Sequence, residues 1–251
     1  MQKLDGGLEY NQAEGAKALI AMPMATDVEA ALTVTERPAM VSAVVHEGRR
    51  QDVRRLMDII CSIILLVILA PLLLIIALMV AMTSTGPVIF AHKRLGRDGT
   101  TFDCLKFRTM RDDAQLTLSC ILAGNPGLRE QWERDHKLAD DPRVTPFGRI
   151  LRATSLDELP QLVNVLRGDM TLVGPRPIVR EELHHYGRYA LHYFSVRPGL
   201  TGLWQISGRS MTTYRRRVAA DVYYVRSRSF LLDTRILLGT LPAVLSAEGS
   251  C

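Results

Sequence analysis

Residues 59–82 read IICSIILLVILAPLLLIIALMVAM, with no charged residue among them. As a straight helix this run would extend about 36 Å at about 1.5 Å per residue, enough to cross the roughly 30 Å hydrocarbon core of a bilayer. Two features work against a simple span. Pro71 stands mid-run, where it removes a backbone donor and clashes with the carbonyl four residues earlier, so a break is expected there. Basic residues also flank both ends, Arg49, Arg50, Arg54 and Arg55 before the run and Lys93, Arg94 and Arg97 after it. Basic flanks stay on the cytoplasmic side. A re-entrant helix that enters, breaks at Pro71 and leaves on the entry side accounts for both features. A kinked spanning helix is the competing reading, because spanning helices tolerate proline.

Working outward, residues 1–50 mix small, polar and charged residues without a sustained period, apart from a short helical pattern at Ala25 to Val34. They read as a disordered tail, residues 51–87 as the membrane segment, and 88–251 as a cytosolic catalytic domain. A chain of 251 residues, 47% apolar, can bury one good core. The net charge of +5 calls for an anionic partner, and nucleic acid, anionic lipid or a diphosphate substrate would each satisfy it. No nucleic-acid-binding motif accompanies the charge, so no nucleic-acid partner is expected. Cys61, Cys104, Cys120 and Cys251 are scattered without CxxC spacing and read as reduced thiols. No cleavable leader pattern stands at Met1, which points the chemistry to the cytoplasmic face of the inner membrane.

Gly86-Pro87 followed by Val88-Ile89-Phe90, then Gly96-Arg97-Asp98-Gly99 and the alternating Phe102, Cys104 and Leu105, predicts a β-hairpin. Asp112 to Lys137 is polar and helical in pattern, interrupted at Gly124-Asn125-Pro126-Gly127. Beyond it, Gly168, Gly174-Pro175-Arg176-Pro177 and Arg197-Pro198-Gly199 mark tight loops around a compact α/β (α+β) core. Phe230 to Leu245 forms an amphipathic helix, packed on the core or lying on the bilayer surface.

Ser155-Leu156-Asp157-Glu158-Leu159-Pro160 places adjacent carboxylates at a helix start. The ordinary reading is a capping box, with Ser155 as the cap and Glu158 three residues on. Pro160 would then fall too deep in the first turn, so the helix begins nearer Leu159 and the carboxylates precede it. The helix dipole, with Arg149 and Arg152 nearby, keeps Asp157 ionised, as a nucleophile or a Mg2+ ligand requires. Mg2+ takes one or two carboxylates and completes its shell with phosphate oxygens and water, so both Asp157 and Glu158 are candidate metal ligands. Among the basic residues, Lys106, Arg108 and Arg111 follow the hairpin. Arg176 and Arg197 stand out because neighbouring prolines fix their backbones and pre-organise the guanidinium for phosphate. His184, His185 and His192 fit surface or core packing better than a metal site. Core packing likewise outweighs base or sugar stacking for Trp204.

Four ordered motifs carry a family resemblance: Lys106 to Met110 (KFRTM), Thr154 to Leu162 (TSLDELPQL), Gly168 to Pro177 (GDMTLVGPRP) and Arg197 to Gln205 (RPGLTGLWQ). Through them, over roughly residues 52 to 248, the chain resembles the bacterial sugar transferases, the small monotopic phosphoglycosyl transferases. That resemblance implies a re-entrant helix broken at proline, an Asp-Glu dyad with Mg2+, and a two-step covalent mechanism. Asp157 would attack the β-phosphate of a UDP-sugar and expel UMP; undecaprenyl phosphate would then take the phosphosugar from Asp157, with Glu158 assisting. Arg152 would contact the lipid phosphate, and Lys106, Arg176 and Arg197 would bind substrate anions; Arg108, after the hairpin, is a further candidate for substrate binding. Ala70 stands where the family often has serine. With only one apolar run, the chain is similar to short forms that begin exopolysaccharide repeat units with galactose or glucose. Membrane lipid is a further expected partner, and association as a homodimer is kept open. N-acetylhexosamine 1-phosphate transfer and a non-catalytic membrane scaffold are the competing functions.

Overall fold

The computed structural model describes residues 44–125, 127–130, 138, 141–207 and 213–245. The expected tail up to residue 43, with the short helix at Ala25 to Val34, lies outside them. From Val44 the chain is helical: α1 spans Val44–Thr83, so the boundary expected at residue 51 falls inside a helix. Helical structure also continues through Pro71. The break expected there is therefore not seen as an interruption of the helix. Among the described residues this is the one helix long and apolar enough to cross a membrane, over Val53–Thr83 with mean hydropathy 3.4. Its large side chains stand in the open, Val67 at 69% and Leu74 at 72% exposure. A continuous apolar surface of this size marks contact with lipid or protein.

Both ends of the apolar run are tied to the same domain. Near its start, the Arg55 guanidinium donates to Val165 O and, at 2.8 Å, to Leu166 O. Asp58 accepts from Thr171 Oγ1 at 2.7 Å and from Leu172 N at 3.1 Å. Near its end, Ile76 and Val80 are buried in a cluster with Phe107 and Leu151.

The expected hairpin is present. Strands β1 (Ile89–Leu95) and β2 (Thr101–Phe107) pair antiparallel from Ile89 opposite Phe107 to Leu95 opposite Thr101. The alternation puts Arg94, Phe102, Cys104 and Lys106 on one face. Helix α2 (Ala114–Gly124) ends where the Gly-Asn-Pro-Gly signal predicts. The chain then returns at Arg143 to Thr145 to pair with Thr109 to Arg111, through Arg111 N to Arg143 O (2.9 Å) and Thr145 N to Thr109 O (3.0 Å).

Helix α3 (Pro146–Ala153) starts with proline in its first turn and Thr145 as the cap, whose hydroxyl accepts from Gly148 N at 2.9 Å. It lies so close to the preceding segment that a Cβ on Gly148 would meet Thr109 O at 2.1 Å, and that oxygen belongs to backbone. Gly148→Ala is therefore expected to lose about 2–3 kcal/mol of stability by overpacking. Urea titration of the purified protein would read this as a lower midpoint at unchanged slope; an unchanged midpoint would mean that the α3 contact is slack.

Helix α4 (Gln161–Arg167) ends at Gly168, whose φ of 93° is the left-handed conformation that favours glycine. Arg55 caps its last carbonyls from α1. A second sheet pairs β3 (Thr171–Val173) in parallel with β4 (Gly199–Thr201). The short helices α5 (Ala190–Phe194) and α6 (Leu203–Ile206) lead to α7 (Tyr214–Ser227) and α8 (Phe230–Leu245). Val165, Met170 and Ile236 are the most completely buried apolar side chains among the described residues. Trp204 is buried as expected, with Arg217 4.7 Å above its ring. The two faces of α8 differ: Ile236 is buried, whereas Phe230, Leu231, Leu238 and Leu241 are exposed, so the helix packs on the core and presents an apolar face outward.

Candidate active site

The carboxylate pair does not belong to a capping box. Ser155 has a φ of 56° and makes no side-chain cap. Asp157 and Glu158 occupy a 3₁₀ turn, Leu156–Glu158, and α4 follows only after Pro160. They precede the helix, as the position of Pro160 predicts. A non-glycine residue in the left-handed region is a local cost that surrounding structure must offset, and such residues collect at functional sites. From this turn the Glu158 side chain reaches Lys106 on β2.

Glu158 is gripped by two cations on the same oxygen. Lys106 Nζ donates to Glu158 Oε1 at 2.6 Å and Arg176 Nη2 donates to it at 3.0 Å. Lys106 also lies 3.9 Å from Asp157 Oδ2. Burial works to raise the Glu158 carboxyl, but Arg176 and Lys106 overcome it and hold the group well below the usual carboxylate range. Asp157 behaves oppositely. Burial pushes it up to about 6, against the pull of Lys106, and the Glu158 charge adds to the rise. The sequence expects the helix dipole to keep Asp157 ionised; α4 has only seven residues, and desolvation outweighs the dipole and raises the carboxyl. At about 6 it still ionises below neutral pH.

The predicted basic residues separate into three groups. Lys106 and Arg176 hold the dyad. Arg152 acts electrostatically on Asp157 from α3, and its Nε donates to Thr109 Oγ1 at 2.9 Å. Arg108 instead meets Asp112 at 2.6 Å, and Arg197 lines a different pocket with Arg54, Arg55, Arg97 and Arg228. Its placement as a ligand of the dyad's substrate is thus not what the structure brings together.

Beside Glu158 lies a small cavity lined by Arg94, Cys104, Lys106, Gln161 and Arg176. Arg94, absent from the sequence-based candidates, is held by Pro177 O at 3.3 Å and Glu182 at 3.5 Å. Strand alternation with Cys104 and Lys106 is the signal that finds it. Asn164 is a second omission. Buried in α4, it accepts from Leu105 N at 2.9 Å and donates to Asp103 O at 2.8 Å, fixing β2 next to Lys106.

Two hard carboxylates suit Mg2+, and both cations on Glu158 bind Oε1, which leaves Oε2 for another partner. Among the described residues no group of three or more His, Cys, Asp or Glu side chains is placed to hold a metal. Any ion held here would complete its shell with phosphate and water. The histidines set aside in sequence have other neighbours: the His184 ring lies against His185, and the His185 ring against Tyr214.

The pattern that defines the bacterial sugar transferases matches residues 49–247. The chain is 47% identical over 197 residues to the exopolysaccharide production protein ExoY of Sinorhizobium fredii, covering 78% of this chain and 87% of that protein. It is equally 47% identical over 197 residues to the undecaprenyl-phosphate galactose phosphotransferase of Salmonella typhimurium, there covering 41% of the longer protein. With the UDP-glucose:undecaprenyl-phosphate glucose-1-phosphate transferase of Caulobacter vibrioides it shares 40% identity over 206 residues, 78% of this chain and 71% of that one. With its adjacent carboxylates, its long apolar helix and this match over most of its length, the chain belongs to the bacterial sugar transferase family.

Proposed function

We propose that this protein transfers a hexose 1-phosphate, galactose or glucose, from a UDP-sugar to undecaprenyl phosphate, releasing UMP as the first step of exopolysaccharide assembly. The observation that carries this reading is the buried Asp157 carboxylate beside a glutamate clamped by Lys106 and Arg176. The relatives from Salmonella typhimurium and Caulobacter vibrioides, a galactose phosphotransferase and a glucose-1-phosphate transferase acting on undecaprenyl phosphate, support the substrate class.

In the first step an Asp157 oxygen bonds to the β-phosphorus of the donor, and the bond from that phosphorus to the bridging oxygen breaks, so UMP leaves with the electron pair. In the second a phosphate oxygen of undecaprenyl phosphate bonds to the same phosphorus and frees the Asp157 carboxylate. Lys106 and Arg176 supply fixed positive charge where the diphosphate approaches, and Arg152 does so beside Asp157. Mg2+, held by Asp157 and Glu158, would neutralise charge on the diphosphate when bound.

Assaying UMP release with UDP-glucose, UDP-galactose and their N-acetylated counterparts, with Mg2+ and undecaprenyl phosphate, tests the proposal. Faster release from galactose or glucose donors is expected. No release from any donor would leave a scaffold role instead.

A re-entrant path for α1, with the catalytic domain on the cytoplasmic face, belongs to the same reading. It is supported by the contacts of Arg55 and Asp58 at one end of the apolar run and of Ile76 and Val80 at the other with one domain. Tags bearing a single cysteine at either terminus are expected to resist an impermeant maleimide in intact cells. Labelling of one terminus from outside would mean that α1 spans.

A further inference from the structure

The pocket that contains Arg197 shares no residue with the cavity beside Glu158. Five guanidiniums line it, from Arg54, Arg55, Arg97, Arg197 and Arg228, against a single lining carboxylate, Asp58. Asp58 is already engaged by Thr171 and Leu172 N. Arg54 has Asp233 at 3.5 Å and Arg97 has Asp98 at 3.3 Å. Arg55 donates to neutral carbonyls, which leave its charge uncancelled. Among the described residues neither Arg197 nor Arg228 has an ion-pair partner, and Arg228 Nε is buried without a hydrogen bond. Like charges gathered at this density repel; burial and the neighbouring Arg55, Arg97 and Arg228 all work to lower the affinity of Arg197 for its proton. Such a cluster is complete only with an anion.

Its position identifies the kind of anion. Arg54, Arg55 and Asp58 immediately precede the charge-free run of α1, whose Ile60, Ile63 and Ile64 are exposed. Arg228 stands two residues before Phe230 and Leu231, exposed at the start of α8. The basic pocket thus sits where two apolar helix faces begin, and a ligand with a phosphate head and hydrocarbon chains satisfies both.

We propose that this arginine pocket binds the headgroup phosphate of an anionic phospholipid, at a site separate from the one that takes the reacting substrates. The inference rests on the membrane placement of α1 and not on the identity of the reaction, so intact UMP release with no lipid binding would overturn it alone.

The test uses the full chain in detergent and native mass spectrometry with added phosphatidylglycerol or phosphatidylcholine. Wild type is expected to retain one phosphatidylglycerol in preference to phosphatidylcholine. R197Q/R228Q is expected to retain it about 10- to 30-fold less, and R197K/R228K to keep most of it, because membrane phosphates accept a point charge. If the double glutamine variant does not fold, R228Q alone removes the guanidinium whose Nε lacks a partner and should weaken retention about 5- to 10-fold. Equal retention by wild type and the glutamine variants overturns the proposal, as does equal retention of phosphatidylcholine. One-for-one displacement by undecaprenyl phosphate overturns it by making this the acceptor's site, and displacement by millimolar inorganic phosphate by making it a site for free anions.

Discussion

Replacing Asp157 with asparagine is expected to abolish UMP release and, at neutral pH, to make the folded protein more stable. Removing a nucleophile costs on the order of 10⁴- to 10⁶-fold in kcat. The gain in stability follows from the carboxyl's rise from 3.8 to about 6 on folding. A carboxylate raised in this way favours the folded state below its unfolded value, and that contribution is lost as pH rises through the folded value. Above pH 6 the ionised group therefore weighs against folding, by about 3 kcal/mol for a shift of about two units. Asparagine cannot ionise. Asp157→Asn should melt about 5–10 °C higher than wild type at pH 7.5, and the two should converge toward pH 4. Wild-type kcat/KM should rise with pH through about 6 as Asp157 ionises. Thermal scans across pH and a UMP assay read both effects. Persisting UMP release would remove Asp157 as nucleophile, and a variant less stable at every pH would contradict desolvation as the source of the raised value.

Glu158→Gln should do the reverse to stability. It leaves Lys106 and Arg176 facing each other without the anion that both bind at Oε1. Breaking such a pair costs about 3–5 kcal/mol, and because the Arg176 side chain is 37% exposed the lower figure applies. A fall of about 100-fold in kcat is expected if Glu158 holds the two cations in place for the diphosphate. One further readout separates this from general damage. The Glu158 charge raises the Asp157 carboxyl, so without it the acid limb of the pH profile should move below 6. An acid limb that stays near 6 would mean that the two carboxylates do not sense each other.

Features encoded by near neighbours were legible in the sequence. The hairpin follows from alternation around Gly96 to Gly99, and α1 from the length of an uncharged run. The dyad's position before α4 follows from Pro160. What depends on distant partners was not. Ser155 and Glu158 have capping-box spacing, but Lys106, 52 residues away, takes the glutamate. Arg176 and Arg197 look alike in sequence, each set among prolines. Their loops cross so closely that a Cβ on Gly199 would fall 2.1 Å from Gly174 N, and from this crossing one arginine reaches the dyad and the other a separate pocket. Asn164 gave no signal at all, since a buried amide bridging two elements has no local pattern.

The ties at both ends of the apolar run make α1 an interior element of the enzyme rather than an appendage. Cutting the chain between Thr83 and Ile89 would not liberate a water-soluble catalyst. It would uncover Phe107 and Leu151, from which Ile76 and Val80 exclude solvent, and leave the last carbonyls of α4 without Arg55. The strand that carries Lys106 ends at Phe107, and α4 begins three residues after Glu158. Removing α1 by truncation would thus loosen the two elements that hold Lys106 and the Asp157-Glu158 pair in register.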